Sequence, residues 1–236
     1  MKLALKIDIP GSTMVMETPQ KGLSRAREVF RKEGVRAFFF KLVGEFFYRR
    51  LILFERSTSE PVRKMPLGQF LSFSILDEDG LEEYRAFRPD TSIAEIKQRL
   101  AEGQLCFVLR AKRRIVHTTW AMTDRAYIDY LSYDFRLRQD VAYVYDSFSL
   151  PDYRGRGIPL IRLAHMLPHL SAIGYRRVIS ANLPENKAGM RPPLKAGYHH
   201  YGIIGYIGLG KWRRYFCRVK KVHGLPLIYI KRTGEM

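Results

Sequence analysis

Pro151-Asp-Tyr-Arg-Gly-Arg-Gly-Ile-Pro-Leu-Ile-Arg-Leu163 is the run on which the fold turns. A strand pattern precedes it, from Val141 to Leu150. A helix pattern follows, with Ile158, Leu160, Ile161, Leu163, Ala164 and Leu167 at helical spacing. The segment Arg154-Gly-Arg-Gly157 is therefore a glycine-rich strand-to-helix turn. Such a turn aims backbone N–H groups and the positive end of a helix at one point, and a phosphate or pyrophosphate is its natural guest. Gly155 and Gly157 have no Cβ, so an anion can approach the backbone and unusual φ values cost little. Arg154 and Arg156 add charge on the same side. An ordinary tight connection can use the same residues, so the flanking sequence decides between the two readings.

Two flanking runs carry a family resemblance. Tyr145-Asp-Ser-Phe-Ser-Leu-Pro-Asp-Tyr-Arg-Gly-Arg-Gly-Ile158 resembles the acyl-CoA-binding signature of the GNAT superfamily of N-acyltransferases, here Arg154-x-x-Gly157-x-Pro159 between a strand and a helix. Downstream, Asn186-Lys-Ala-Gly-Met-Arg-Pro-Pro-Leu-Lys195-Ala-Gly197-Tyr198 is similar to the second signature, in which an Asn opens a short helix ending in Lys-x-Gly-Phe/Tyr. The resemblance covers about Leu67 to Val222. It implies an α/β (α+β) fold, a mixed central sheet flanked by helices. It also implies acetyl-CoA or another acyl-CoA as co-substrate, with no metal. Pantetheine would run along Phe148, Ser149 and Leu150, the pyrophosphate would sit at Arg154, Gly155, Arg156, Gly157 and Ile158, and Asn186 would contribute from the second signature.

Two residues depart from the pattern. Pro159 stands where the family has Gly or Ala; it removes one N–H donor, although proline is welcome in the first turn of a helix. Pro193 stands where many members carry a tyrosine that protonates the leaving thiolate, so the acid comes from elsewhere or the activity is altered or lost.

Acyl transfer to an amine needs a proton acceptor, a donor for the developing oxyanion and an acid for the thiolate. Asp146, in the central strand just before the turn, reads either as an amine-binding residue or base, or as a polar residue capping a strand irregularity. Tyr143 and Tyr145 share one face of that strand and are either substitute acids or half-buried core. His117 and His165 read as structural; His199 and His200 open the last hairpin, near where a substrate pocket is expected. There is no Cys/His metal spacing, no Gly-x-Ser-x-Gly elbow and no Walker motif. Direct attack of a substrate amine on a bound thioester is the chemistry these residues support.

The chain has 236 residues and a formal net charge of +18, which favours anionic partners: CoA phosphates, acyl carrier protein, nucleic acid or an anionic membrane surface. No nucleic-acid motif accompanies the charge. Cys106 and Cys217 lie in strand-like runs and read as reduced core residues, which suits a cytoplasmic protein. The opening residues have too short an apolar run for a leader, and no 18-residue uncharged apolar segment occurs.

Residues 1–60 read as an N-terminal helical extension and 61–236 as the acyltransferase-like domain. Helices are expected over Lys21–Glu33 and Val35–Arg50, the second with Phe38, Phe39, Leu42, Val43, Phe46 and Phe47 on one face and basic flanks. Residues 22–54 are then either an interfacial segment on anionic lipid, placing the protein at the inner face of a membrane, or a helix packed on its own domain. Further strands are expected at Gln69–Leu76, Leu105–Arg110, Ile115–Ala121, Arg177–Leu183, Tyr198–Leu209, Trp212–Val222 and Leu225–Ile230. Ser92-Ile-Ala-Glu95 is a capping box, and Pro168 should interrupt the hydrogen bonding of the helix after the turn. The cluster Lys211, Arg213, Arg214, Arg218, Lys220 and Lys221 reads as a solvated face or a contact with anionic groups.

The leading expectation is an acyl-CoA-dependent N-acyltransferase with a small-molecule amine acceptor, in the resemblance an amino sugar of envelope polysaccharide. The alternatives are an acyl-carrier-protein-dependent N-acyl amino acid or homoserine lactone type synthase, and a non-catalytic GNAT-like module binding at a membrane.

Overall fold

The computed structural model describes residues 47–62, 65–68, 70–209 and 212–230. Most of the N-terminal extension, including both helices expected before residue 47, lies outside them. Eleven strands are described: β1 (Tyr48–Ser57), β2 (Leu71–Ile75), β3 (Leu105–Ala111), β4 (Arg114–Met122), β5 (Arg125–Ile128), β6 (Tyr133–Leu137), β7 (Val141–Ser149), β8 (Arg177–Asn182), β9 (His199–Ile207), β10 (Arg214–Val219) and β11 (Ile228–Ile230). The helices are α1 (Leu81–Phe87), α2 (Ile93–Ala101), α3 (Ile158–Ala172) and α4 (Lys187–Lys195). Eight strands join in the order β10-β9-β1-β8-β7-β4-β3-β2, and three in the order β11-β6-β5. The larger sheet is mixed, because β7 and β8 are parallel while β4 and β7, like β1 and β8, are antiparallel. The expected mixed sheet with flanking helices is borne out.

One expectation is corrected. Tyr48 to Arg50 belong to β1, a ten-residue strand in the middle of the large sheet, and not to the end of an amphipathic helix. The phenylalanine-rich helical periodicity ahead of them runs on into a segment whose alternate residues, Leu51 and Leu53, are buried by sheet neighbours. The interfacial reading of 22–54 therefore fails for 48–54, which are sheet, whereas the reading of the short apolar run Leu51–Phe54 as a strand agrees with β1.

The chain divides into two compact units. One holds the described residues of 51–126, 134–204 and 217–230; the other holds 47–50, 127–133, 205–209 and 212–216. In the first, both sheet faces are covered. Leu163, Met166, Leu167 and Leu170 of α3 pack with Phe107, Ala121, Ala142, Val144 and Val178 on one face. Leu81 and Tyr84 of α1 and Ile96 of α2 pack with Cys106, Val108 and Trp120 on the other. Successive residues of β3, Cys106 and Phe107, serve opposite faces, as the two-residue period of a strand requires. Cys106 and Cys217 are both free thiols, and burial pushes both up, Cys106 well above its usual value and Cys217 to about 11.

Local chemistry sets several boundaries. The Ser92 hydroxyl accepts from the Glu95 N–H at 3.1 Å, capping α2 as its sequence predicts. β3 and β4 form the expected hairpin, and its two turn residues Lys112 and Arg113 take φ of 49° and 68°, the twist a two-residue hairpin turn demands. In the second unit, the Tyr215 hydroxyl donates to the Leu131 carbonyl at 3.1 Å, and the Arg49 guanidinium lies 4.8 Å over the Tyr130 ring. Among the described residues no helix is long and apolar enough to cross a membrane.

Candidate functional site

The site is assembled where β7 ends and α3 begins. Gly155 and Gly157 take φ of 76° and 74°, in the left-handed region that costs an L side chain roughly 1–2 kcal/mol. Gly157 is the residue before the first turn of α3. A Cβ built on either glycine would meet nothing within 4 Å, so both point into open space that a side chain would fill. Among the described residues, the amides of Gly155, Arg156, Gly157 and Ile158 make no hydrogen bond of ordinary length and angle. Four consecutive unengaged N–H groups at the start of a 15-residue helix form an anion cradle. Pro159 falls in the first helical turn, where an N–H has no intrahelical partner, so it costs α3 no helical bond.

The cationic side chains flank the cradle. Arg154 Nε donates to the Ser149 carbonyl at 3.3 Å, and its guanidinium lies 5.8 Å from the Phe148 ring centroid. Arg156 lies 5.6 Å over the Tyr153 ring. Both are exposed, with their charge toward solvent at the helix start.

Upstream, β7 breaks its pairing with β4. Thr118 pairs with Phe148 and Trp120 with Tyr145, so one intervening residue of β4 faces two of β7, Asp146 and Ser147. This is a β-bulge, and Asp146 sits in it at φ 44°. On its other edge β7 pairs with β8 only from Val141↔Arg177 to Val144↔Ser180. Beyond Val144 that edge of β7 runs without a β8 partner. Phe148, Ser149 and Leu150, expected along a pantetheine arm, lie on this stretch, all half-buried.

The three residues expected to carry chemistry lie together, in surroundings the sequence did not show. The carboxylate of Asp146 is clamped between two guanidiniums: Arg88 Nη1 is 3.2 Å from Oδ1, and Arg99 Nη1 is 3.0 Å from Oδ2. Arg99 also pairs with Glu95 at 2.5 Å and lies 5.2 Å from the Trp120 ring centroid, while Arg88 lies 4.6 Å over Phe148. Asp146 thus sits in the bulge and bridges two arginines. Tyr145 donates to Gln104 Oε1 and stacks on Tyr143 at 6.1 Å between centroids. Burial, with Asp146 nearby, raises the Tyr145 hydroxyl above its ordinary value, so it stays protonated at neutral pH. Tyr143 is buried and meets Phe135 edge-on at 5.5 Å.

Asn186 caps α4: its Oδ1 accepts from the Gly189 N–H at 2.8 Å, so the second signature is first a helix start. Pro193 lies inside α4. His165 contacts the Met65 carbonyl at 3.1 Å, and His117 is buried with Nδ1 2.8 Å from the Ser149 hydroxyl, so both serve structure. His199 and His200 are exposed at the start of β9.

Arg88, Arg99, Gln104 and Arg162 belong to the site and were not singled out in the sequence. Arg88 and Arg99 pair across 58 and 47 residues, which no local pattern encodes. Arg162 did leave a trace. It falls four residues after Ile158 and four before Met166, on the buried stripe of α3, where a charge is out of place. Among the described residues no group of His, Cys, Asp and Glu is arranged to hold a metal ion.

No family model matches the chain, and no curated protein matches it. Solved structures do. An aminoglycoside N-acetyltransferase in complex with CoA is 19% identical with a TM-score of 0.45, over 55% of this chain and 92% of that one. A GCN5-related N-acetyltransferase from Sphaerobacter thermophilus is 16% identical with a TM-score of 0.48, over 71% of this chain and 54% of that one. A protein of Novosphingobium aromaticivorans, described as an acetyltransferase of the GNAT family, is 16% identical with a TM-score of 0.44, over 66% and 63%. Of the last two, this chain spans less than two thirds of the length.

Proposed function

We propose that the chain is an acyl-CoA-dependent N-acyltransferase acting on a small-molecule amine. The observation that carries the proposal is the cradle at Gly155–Ile158, four unengaged amides and two open left-handed glycines, placed where β7 loses its partner. A diphosphate carrying a long polar arm matches both features. The diphosphate would meet the amides and the α3 N-terminus, and the arm would run along Phe148 to Leu150 on the edge that β8 leaves unpaired. When bound, the thioester supplies an activated acyl carbon.

The chain's own residues act on that carbon's surroundings. In the transfer a C–N bond forms, the C–S bond breaks, the amine loses a proton and the thiolate gains one. Asp146, Arg88 and Arg99 set the electrostatics beside the bulge, and Asp146 holds the two arginines in place. In the absence of a tyrosine at position 193, Tyr145 is the acid we assign for the thiolate, with Tyr143 packed behind it; burial keeps its proton on at neutral pH and makes it a weaker donor than a free phenol. Thiol release from acetyl-CoA and longer acyl-CoAs, measured over a panel of amines, tests the activity. Amine-dependent release supports it. Confirmed CoA binding with no release for any amine would favour a non-catalytic binding module.

A second aspect rests on a separate observation. Ile207, Leu209 and Trp212, at the turn between β9 and β10, are 58%, 50% and 80% exposed, and Lys211 to Lys221 carries six cations and no acid. Exposed apolar residues with Arg213 and Arg214 close by in sequence suit the headgroup region of an anionic lipid surface. We therefore assign peripheral membrane contact to this hairpin.

A further inference from the structure

Arg162 is 5% exposed on the sheet-facing side of α3, and no carboxylate among the described residues lies within 4 Å of it. Its Nη1 faces the Met166 sulfur at 3.4 Å, its Nη2 reaches the Ser147 hydroxyl at 3.5 Å, and its Nε has no partner. Burial pushes the guanidinium down to about 10, which still leaves it charged at neutral pH. An isolated buried cation costs several kcal/mol, whereas a Leu or Met at this position would pack for free.

The surroundings indicate a use. Ser147 is exposed at the bulge, on the stretch of β7 beyond its last pairing with β8 at Val144 and Ser180, so the Arg162 fork lies one hydroxyl away from that unpaired edge. Thr119 hydrogen-bonds Ser147, and His117 hydrogen-bonds Ser149 on the same face of the sheet. The Ser180 hydroxyl, at the last paired position of β8, is buried and without a partner. Hydroxyls and one cation without a carboxylate partner therefore gather where the β7–β8 pairing ends, polar groups that an apolar acyl chain would leave unmatched.

We propose that Arg162, with Ser147 and Thr119, is the receptor for the acyl group, and that it selects a short acyl group ending in a carboxylate. A carboxylate suits the planar guanidinium bidentately and supplies the missing counter-charge. The proposal rests on the acyl-CoA reading and extends it to the donor's identity.

Calorimetric titration of the full chain with CoA, succinyl-CoA and butyryl-CoA tests it. The two acyl groups have the same number of carbons and differ in the terminal carboxylate. Wild type should bind succinyl-CoA at least tenfold tighter than butyryl-CoA. Arg162→Met should abolish that preference in a protein whose melting curve shows it folded, and Arg162→Lys should keep part of it. Equal or tighter binding of butyryl-CoA by wild type, a result that needs no variant, would overturn the proposal. So would a preference that survives in Arg162→Met. If CoA binds but the preference is missing, only this inference falls. If CoA does not bind, the donor reading falls and this one with it.

Discussion

Replacing Asp146 by Asn separates a catalytic base from a structural clamp. Asn tolerates the left-handed conformation that Asp146 adopts at φ 44°, so the bulge is kept and only the charge is lost. In the structure that charge faces Arg88 at 3.2 Å and Arg99 at 3.0 Å, with side-chain exposures of 15% for Asp146, 6% for Arg88 and 15% for Arg99. Removing one partner of a buried ion pair costs about 3–5 kcal/mol, because the other charge stays buried and uncompensated. Here two guanidiniums lose the carboxylate they share, while Arg99 keeps its pairing with Glu95. Against a total stability of about 5–15 kcal/mol, that loss is large. For a chain of this size it corresponds to a fall in Tm of about 6–20 °C. Urea and thermal unfolding followed by circular dichroism read it out. A variant within about 0.5 kcal/mol of wild type would refute the clamp. If that stable variant also lost about 10²–10⁴ in turnover, Asp146 would be the general base instead.

Two further outcomes are expected. Burial, with Arg162 nearby, holds the His117 imidazole well below its ordinary value, so below about pH 6.5 the unfolded chain binds a proton that the folded one refuses. Stability should therefore fall with falling pH by up to about 1.4 kcal/mol per unit from that point, and His117→Gln should flatten the slope between about pH 6.5 and 5; an identical slope in both proteins would refute it. Trp120 is fully buried and Trp212 is 80% exposed, and they are the two tryptophans of the chain. A blue shift on anionic vesicles, weakened by salt and absent in Trp212→Phe, should therefore report the hairpin at the lipid surface, whereas an equal shift on neutral vesicles would contradict an electrostatic contact.

The parts of the fold written in local patterns were legible in the sequence. Ser92 and Glu95 marked the start of α2, the glycines marked the turn before α3, and the alternating runs of β3 and β4 marked a hairpin. The start of β1 was not legible, because the helical spacing of the phenylalanines before it continues smoothly into Tyr48. The site divided along the same line. The Arg154–Ile158 cradle is contiguous, and backbone geometry alone makes it. The bulge at Asp146 exists only through the register of β4 against β7, and its arginines arrive from α2 and the end of α1, so the residue's position was readable but its partners were not. Arg162 was legible in principle, as a charge at the i+4 position between two buried apolar residues, but its meaning depends on where the pairing of β7 with β8 ends.

The central claim is that the glycine turn holds the diphosphate of an acyl-CoA, and calorimetric titration of CoA into wild type and Gly157→Val tests it most directly. A Cβ at residue 157 meets no protein atom within 4 Å, so the substitution fills the cradle without a clash inside the fold. The left-handed φ adds strain that a melting curve registers separately. The account predicts a loss of affinity of at least about tenfold, or 1.4 kcal/mol, in a protein that remains folded. CoA binding of equal strength in the two proteins, or none in wild type, would contradict it.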